Sequence, residues 1–170
     1  MTDEGFWLVI EASRSDCDPQ LRDGNMDRQA KRLEALLSEM SLAEVEAFRR
    51  VYAKVWLQAY TWDLWGAAYI IGGGCSDDSF MDFRDWLISM GRRVYEAALA
   101  NPETLLAVVA QPGVESAFFE GFGYVSWQAL ERKGGGDVEW SHPQEPAGDK
   151  WDEESLPQLF PNLWNAYGDA

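Results

Sequence analysis

Val55–Arg93 reads VWLQAYTWDLWGAAYIIGGGCSDDSFMDFRDWLISMGRR, and the fold class turns on how this stretch is taken. Its first part, Val55–Ser76, carries a single charge, Asp63, and an apolar run that stops at Gly72-Gly73-Gly74. A helix without a polar face is normally central and covered on every side. From Asp77 the pattern changes. Phe80, Phe83, Leu87, Met90, Val94 and Ala98 recur at helical spacing, which predicts one amphipathic helix from about residue 77 to 98, capped by Ser76 or Asp77. Asp78, Asp82, Asp85, Ser89 and Arg92 line its opposite side. The apolar run is long enough to be tested as a membrane span and fails. Gln58, Thr61, Asp63 and the glycines sit inside it, and a central Asp alone costs about 2.5–3.5 kcal/mol on insertion.

Working outward, each flank reads as helix. Thr2 or Asp3 caps a first helix to about Arg14, and Pro19 with Asp23-Gly24-Asn25 breaks the chain after it. Met26, Ala30, Leu33, Leu37 and Met40 form the face of a second. Ser41-Leu42-Ala43-Glu44 is a capping box opening a third, with Val45, Phe48, Tyr52, Val55 and Ala59 inward and Glu46–Arg50 paired outside. On the other flank, Asn101-Pro102-Glu103 starts a short helix to about Ala110, and a further helix is expected over 114–131. From Lys133 glycine, proline and acid dominate. Residues 133–152 read as an extended acidic surface segment, with weak strand pairing over Asp137–Trp140, and residues 153–167 as short helical turns. Trp151, Leu159, Phe160, Leu163 and Trp164 are too apolar for a free tail and are expected to dock. The expectation is an all-α protein: a single compact multi-helix domain over 1–132, with residues 133–170 packed on it.

The chain has 170 residues, 46% of them hydrophobic and 14% aromatic, which suffices for one packed domain. Its net charge is -15. Residues 101–170 hold twelve acids against three bases, whereas residues 41–100 hold eight against six. Such a polyanion is repelled by nucleic acid and by anionic membrane, so neither is an expected partner, while a basic protein is. Cys17 and Cys75 form no disulfide framework and no metal spacing, and the N-terminus lacks the basic region of a signal peptide; a reducing, cytoplasmic location is expected.

The string AYTWDLWGAAYIIGGGCSDDSFMDFRDWLISMGRRVYEAALANPETL resembles the bacterial family catalogued as domain of unknown function 4240. The opening Phe6-Trp7 helix and the late segment from Trp151 to Leu163 are similar to it as well. The resemblance implies a small cytoplasmic bacterial protein without an established activity, and it transfers no catalytic residue.

Several groups carry possible chemistry. Gly72-Gly73-Gly74-Cys75-Ser76 ahead of a helix looks like a phosphate cradle, but it lacks the lysine of such loops, and Asp77 and Asp78 would repel the anion. Asp77, Asp78 and Asp82, with Arg84 and Arg92 nearby, make a candidate polar site. Asp78 and Asp82 are the weak candidates for Mg²⁺ or Ca²⁺, which want oxygen ligands; the bland alternative is a solvated acidic face. Asp63, in an uncharged aromatic segment, is expected to be buried and paired with Arg84 or Arg92. Trp62, Trp65 and Trp86 form a candidate aromatic pocket, with core packing as the alternative. Cys75 would need the sole histidine, His142, folded back from the tail to act as a nucleophile.

No catalytic set is assembled by spacing. The leading expectation is a non-enzymatic intracellular protein that binds a partner protein, basic in character, in a regulatory or immunity-like role. The alternatives are a small metal-assisted enzyme using the Asp/Arg cluster, or a small-ligand-binding protein. Oligomeric state is not legible from the sequence.

Overall fold

The computed structural model describes residues 1–136, 138 and 141–168. Among these the chain forms α1 (Asp3–Ser13), α2 (Asn25–Ser38), α3 (Leu42–Gln58), α4 (Trp62–Gly72), α5 (Asp77–Ser89), α6 (Arg92–Ala100), α7 (Leu105–Val109), α8 (Phe122–Arg132), α9 (Leu156–Leu159) and α10 (Pro161–Tyr167). Single 3₁₀ turns at Pro102–Thr104 and Glu153–Ser155 precede α7 and α9, and no strand appears among the described residues. The protein is all-α. The pairing expected over Asp137–Trp140 falls on a segment of which only Val138 is described.

The helix starts follow local chemistry. Thr2 Oγ1 accepts from the Gly5 amide, and Ser76 Oγ from the Ser79 amide. At α3 the capping box is complete: Ser41 Oγ accepts from the Glu44 amide, and the Glu44 carboxylate accepts from the Ser41 amide. Each such cap is worth about 1 kcal/mol. The core lies where α1, α2, α3, α5 and α8 meet. Phe6 and Ile10 of α1, Leu33 and Leu37 of α2, Phe48 and Tyr52 of α3, Phe80 and Phe83 of α5, and Phe122 and Leu130 of α8 are all buried there. Phe6 sits with its ring centroid 4.9 Å from Phe48 and 5.0 Å from Trp7.

Two expected helices are corrected. The one over 77–98 is two, parted at Gly91. Gly91 has φ +90, which L side chains rarely adopt, and an added Cβ would lie 2.1 Å from Glu11 Oε1 of α1. Apolar spacing runs across the break because both helices face the same core, so periodicity alone conceals it. The helix over 114–131 starts only at Phe122. Ahead of it, the Phe118 amide donates to Ser116 Oγ at 3.0 Å and the Phe119 amide to the Asp82 carbonyl at 3.0 Å. These bonds offer the backbone an alternative to the helical ladder.

Residues 147–164 return over α4. The Trp62 amide donates to the Ala147 carbonyl, the Ala147 amide to the Tyr60 carbonyl, and Trp151 Nε1 to the Trp62 carbonyl at 2.7 Å. Leu156, Phe160 and Leu163 are buried, each contributing about 1.5–3 kcal/mol. Glu103 fixes the far end, accepting from the Asn162 and Leu163 amides at the start of α10. Docking depends on Gly66 having no side chain, because a Cβ there would lie 2.7 Å from Phe160 and 3.2 Å from Leu156. We expect Gly66→Val to cost about 1–3 kcal/mol by overpacking and to speed tryptic cleavage at Lys150. Unchanged cleavage kinetics would show that the segment is held elsewhere.

Candidate functional site

Spacings of four and three place Asp78, Asp82 and Asp85 on one face of α5. That face forms one wall of a cleft of about 550 Å³ between α3, α5 and the start of α8. Asp78 is exposed at the rim, Asp82 is half-buried, and Asp85 lies deepest. Glu120, just before α8, adds a fourth carboxylate, and Met81, Tyr124 and Trp127 supply apolar surface beside the acids. Met81 and Tyr124 are 40% and 61% exposed, high for side chains of their kind. From α3, Arg49, Tyr52 and Trp56 line the remaining side.

Asp85 ties the three helices together. Its Oδ1 accepts from the Tyr52 hydroxyl at 2.8 Å, and its Oδ2 accepts from the Gly123 amide at 3.0 Å. Burial pushes its carboxyl up to about 6; the Tyr52 and Gly123 hydrogen bonds and the Arg84 charge oppose that rise, and Asp82 adds to it. Asp82 is raised as well, by burial first and then by the Glu120 and Asp78 charges. Tyr52 is held well above the usual phenol range by burial and by Asp85. Arg49, 4% exposed, donates from Nη1 to Ser126 Oγ at 3.2 Å and fastens α3 to α8 beneath the cleft.

The expected site residues divide. Asp78 and Asp82 come together in the cleft. Asp77 stays exposed in the first turn of α5, where its charge meets the helix N-terminus. Asp63 is not a buried, paired carboxylate: it is exposed in the first turn of α4. An uncharged sequence neighbourhood does not bury a residue at N2 of a helix, whose side chain points out past the helix start. Neither arginine assigned to it is its partner. Arg84 is 1% exposed, with its guanidinium carbon 3.4 Å from the Trp56 ring centroid and 4.7 and 4.9 Å from those of Tyr60 and Phe80. It donates to the Phe80 and Trp56 carbonyls, and burial lowers it to about 10. Arg92 pairs with Glu96 on the surface of α6 at 2.6 Å.

The aromatic trio is not a pocket. Trp62 and Trp65 stack at 5.3 Å, and Trp65 Nε1 donates to the Cys75 carbonyl, bracing the glycine turn. Trp86 is 1% exposed, packed on Phe83 in the core. Among the described residues no group of three or more His, Cys, Asp or Glu side chains converges as a metal site. The Cys75 thiol is pushed up to about 12, by burial and then by Asp82, the reverse of an activated nucleophile. His142 packs against Tyr60 and Trp56, at 4.7 and 5.6 Å between ring centroids.

Sequence reasoning missed Arg49, Tyr52, Glu120, Tyr124 and Trp127 as site residues. Arg49 alone left a signal, since it falls in the buried stripe of α3, four residues after Val45 and seven before Trp56. A charge in that stripe marks a polar contact under the surface. Glu120 was hidden by the helix expected across it.

No helix among the described residues is long and apolar enough to cross a membrane. No curated protein and no solved structure matches the chain. Residues 1–132, which include every cleft residue, match the family described as a protein of unknown function, DUF4240, and on that match over most of its length the chain belongs to this family.

Proposed function

We propose that this is a non-enzymatic bacterial protein of the cytoplasm that binds a basic segment of a partner protein in the α3–α5–α8 cleft, in a regulatory or immunity-like role. The observation that supports the reading is the combination, in one cleft, of four carboxylates with the exposed Met81 and Tyr124 and the half-buried Trp127. A lysine or arginine side chain has both an apolar stem and a charged head, and the cleft offers a surface for each. A cation over an aromatic face gains about 0.5–2 kcal/mol, more as water is excluded. The net charge of -15 favours encounter with a basic partner and disfavours an acidic one.

The test is fluorescence anisotropy with labelled oligo-arginine and oligo-lysine peptides, with a Gly–Ser peptide as control. The basic peptides should bind, and more weakly as salt rises. Asp82→Asn with Glu120→Gln should weaken binding by about tenfold or more, equivalent to about 1.4 kcal/mol. Binding that ignores salt, or that survives the double substitution intact, would remove the cleft from the account.

A further inference from the structure

We infer that a cationic group entering the cleft expels a proton from Asp85, so that binding is coupled to pH. The inference rests on the cleft being a cation site, and it adds how that site is regulated.

The geometry supplies the coupling. Asp85 lies at the bottom of the cleft, with Oδ1 and Oδ2 each accepting one hydrogen bond, from Tyr52 of α3 and Gly123 of α8. The groups around it are mixed in charge. Arg49 and Tyr52 face it from α3, Asp78, Asp82 and Arg84 belong to its own helix, and Glu120 and Tyr124 flank it at the start of α8. Arg84 is turned onto the ring faces of Trp56, Tyr60 and Phe80, and Arg49 onto Ser126. Burial at the bottom of the cleft disfavours the charged form of Asp85, and the Asp82 carboxylate adds to this, so the carboxyl keeps its proton to higher pH than an exposed Asp. A cation in the cleft acts in the opposite sense: it stabilises the carboxylate, and the proton leaves to solvent. Linkage then requires that binding release protons near pH 6 and tighten as pH rises through that value, by up to about tenfold per pH unit.

Asp82 titrates in the same cleft, so the test must separate the two carboxyls. The Tyr52 hydroxyl bonds Asp85 alone of the acids and favours its charged form. Tyr52→Phe therefore moves the Asp85 titration to higher pH and removes none of the other cleft charges. The experiment is calorimetric titration with oligo-arginine, in paired buffers of different ionisation enthalpy, across mildly acidic to mildly alkaline pH. The expected result is net proton release near pH 6 that vanishes at alkaline pH in the wild type and persists to higher pH in Tyr52→Phe. Binding without proton release, or a release profile that Tyr52→Phe leaves unmoved, overturns the coupling and spares the cation site. Absence of binding at every pH overturns both. Carboxyl carbon NMR of the unliganded protein keeps the question open to failure if Tyr52→Phe folds poorly: an Asp85 resonance titrating at the ordinary aspartate value would also overturn it.

Discussion

Arg84→Ala should lose about 3–5 kcal/mol of stability, comparable to deleting a buried aromatic side chain. Arg84 is among the largest fully buried side chains in the protein, and its guanidinium rests on Trp56, Tyr60 and Phe80. Removing it leaves a cavity between three rings and strips the Phe80 and Trp56 carbonyls of a donor. The informative comparison is Arg84→Met, which keeps most of the stem and discards the charge. A buried ion replaced by a hydrophobic group of similar volume often costs little, because the desolvation of the charge is recovered. We expect Arg84→Met to cost about 1–2 kcal/mol, the residue of the lost cation–π contacts. Urea unfolding of both variants measures the difference. If Arg84→Ala and Arg84→Met unfold within about 0.5 kcal/mol of each other, packing of the stem is not what Arg84 contributes. Trp56 also lines the cleft, so a ring loosened by Arg84→Ala should weaken peptide binding even at alkaline pH, where Asp85 is charged in both proteins.

The Arg84 stack shows where sequence reasoning ends. The helices and their starts are written in nearest neighbours: a hydroxyl at Thr2, a Ser and a Glu three apart at Ser41, a Ser at Ser76 before two acids. These are contacts within one turn, and their geometry is fixed once the backbone is helical. Partnerships between helices are not written so. A lone Asp63 and a nearby arginine suggest an ion pair, yet the partners of Arg84 are ring faces from α3, the turn after it and α5, and Asp63 stays in water at a helix end. Only tertiary packing decides which of two such solutions excludes more water.

The cleft is half legible for the same reason. Asp78, Asp82 and Asp85 share a face by spacing alone, because helical periodicity fixes which side chains of one helix stand together. Glu120 and the aromatic rim reach that face from forty residues further along the chain, at the end of a loop whose shape is set by the Asp82 carbonyl accepting from Phe119. A helix expected across 114–121 would have turned Glu120 elsewhere. The break at Gly91 is hidden differently: two helices that pack on one core keep one apolar rhythm, and it is the φ of +90 at the junction that explains why the position has no side chain.

Acidification from neutral pH to about pH 5 should stabilise this protein, and Asp85→Asn should remove much of that gain. The folded-state carboxyl of Asp85 lies at about 6 against an ordinary value of 3.8, so the folded protein binds this proton more tightly than the unfolded chain does. The contribution is therefore complete below the ordinary value and is lost as pH rises through about 6. Holding the carboxyl at about 6 rather than 3.8 corresponds to about 3 kcal/mol, so at neutral pH the charged form of Asp85 costs the fold on that order. Relief of self-repulsion among the other acids adds stability on acidification too, but it acts on wild type and variant almost alike and drops out of their difference. The amide of Asp85→Asn can keep both neighbours satisfied: its oxygen accepts from the Gly123 amide, and its nitrogen donates to the Tyr52 oxygen, whose hydroxyl is free to turn. Asp85→Asn should thus be more stable than wild type at neutral pH by up to about 3 kcal/mol, and by roughly half that near pH 5, where the unfolded carboxyl is still largely ionised. Denaturant unfolding of the two proteins at both pH values measures this directly, and parallel pH dependences would show that Asp85 titrates as an ordinary aspartate. The same substitution should weaken oligo-arginine binding at neutral pH, where wild-type Asp85 carries its charge. A residue that destabilises the fold and strengthens the site is what a function located in the cleft predicts, since sites commonly retain groups that a fold selected for stability alone would replace.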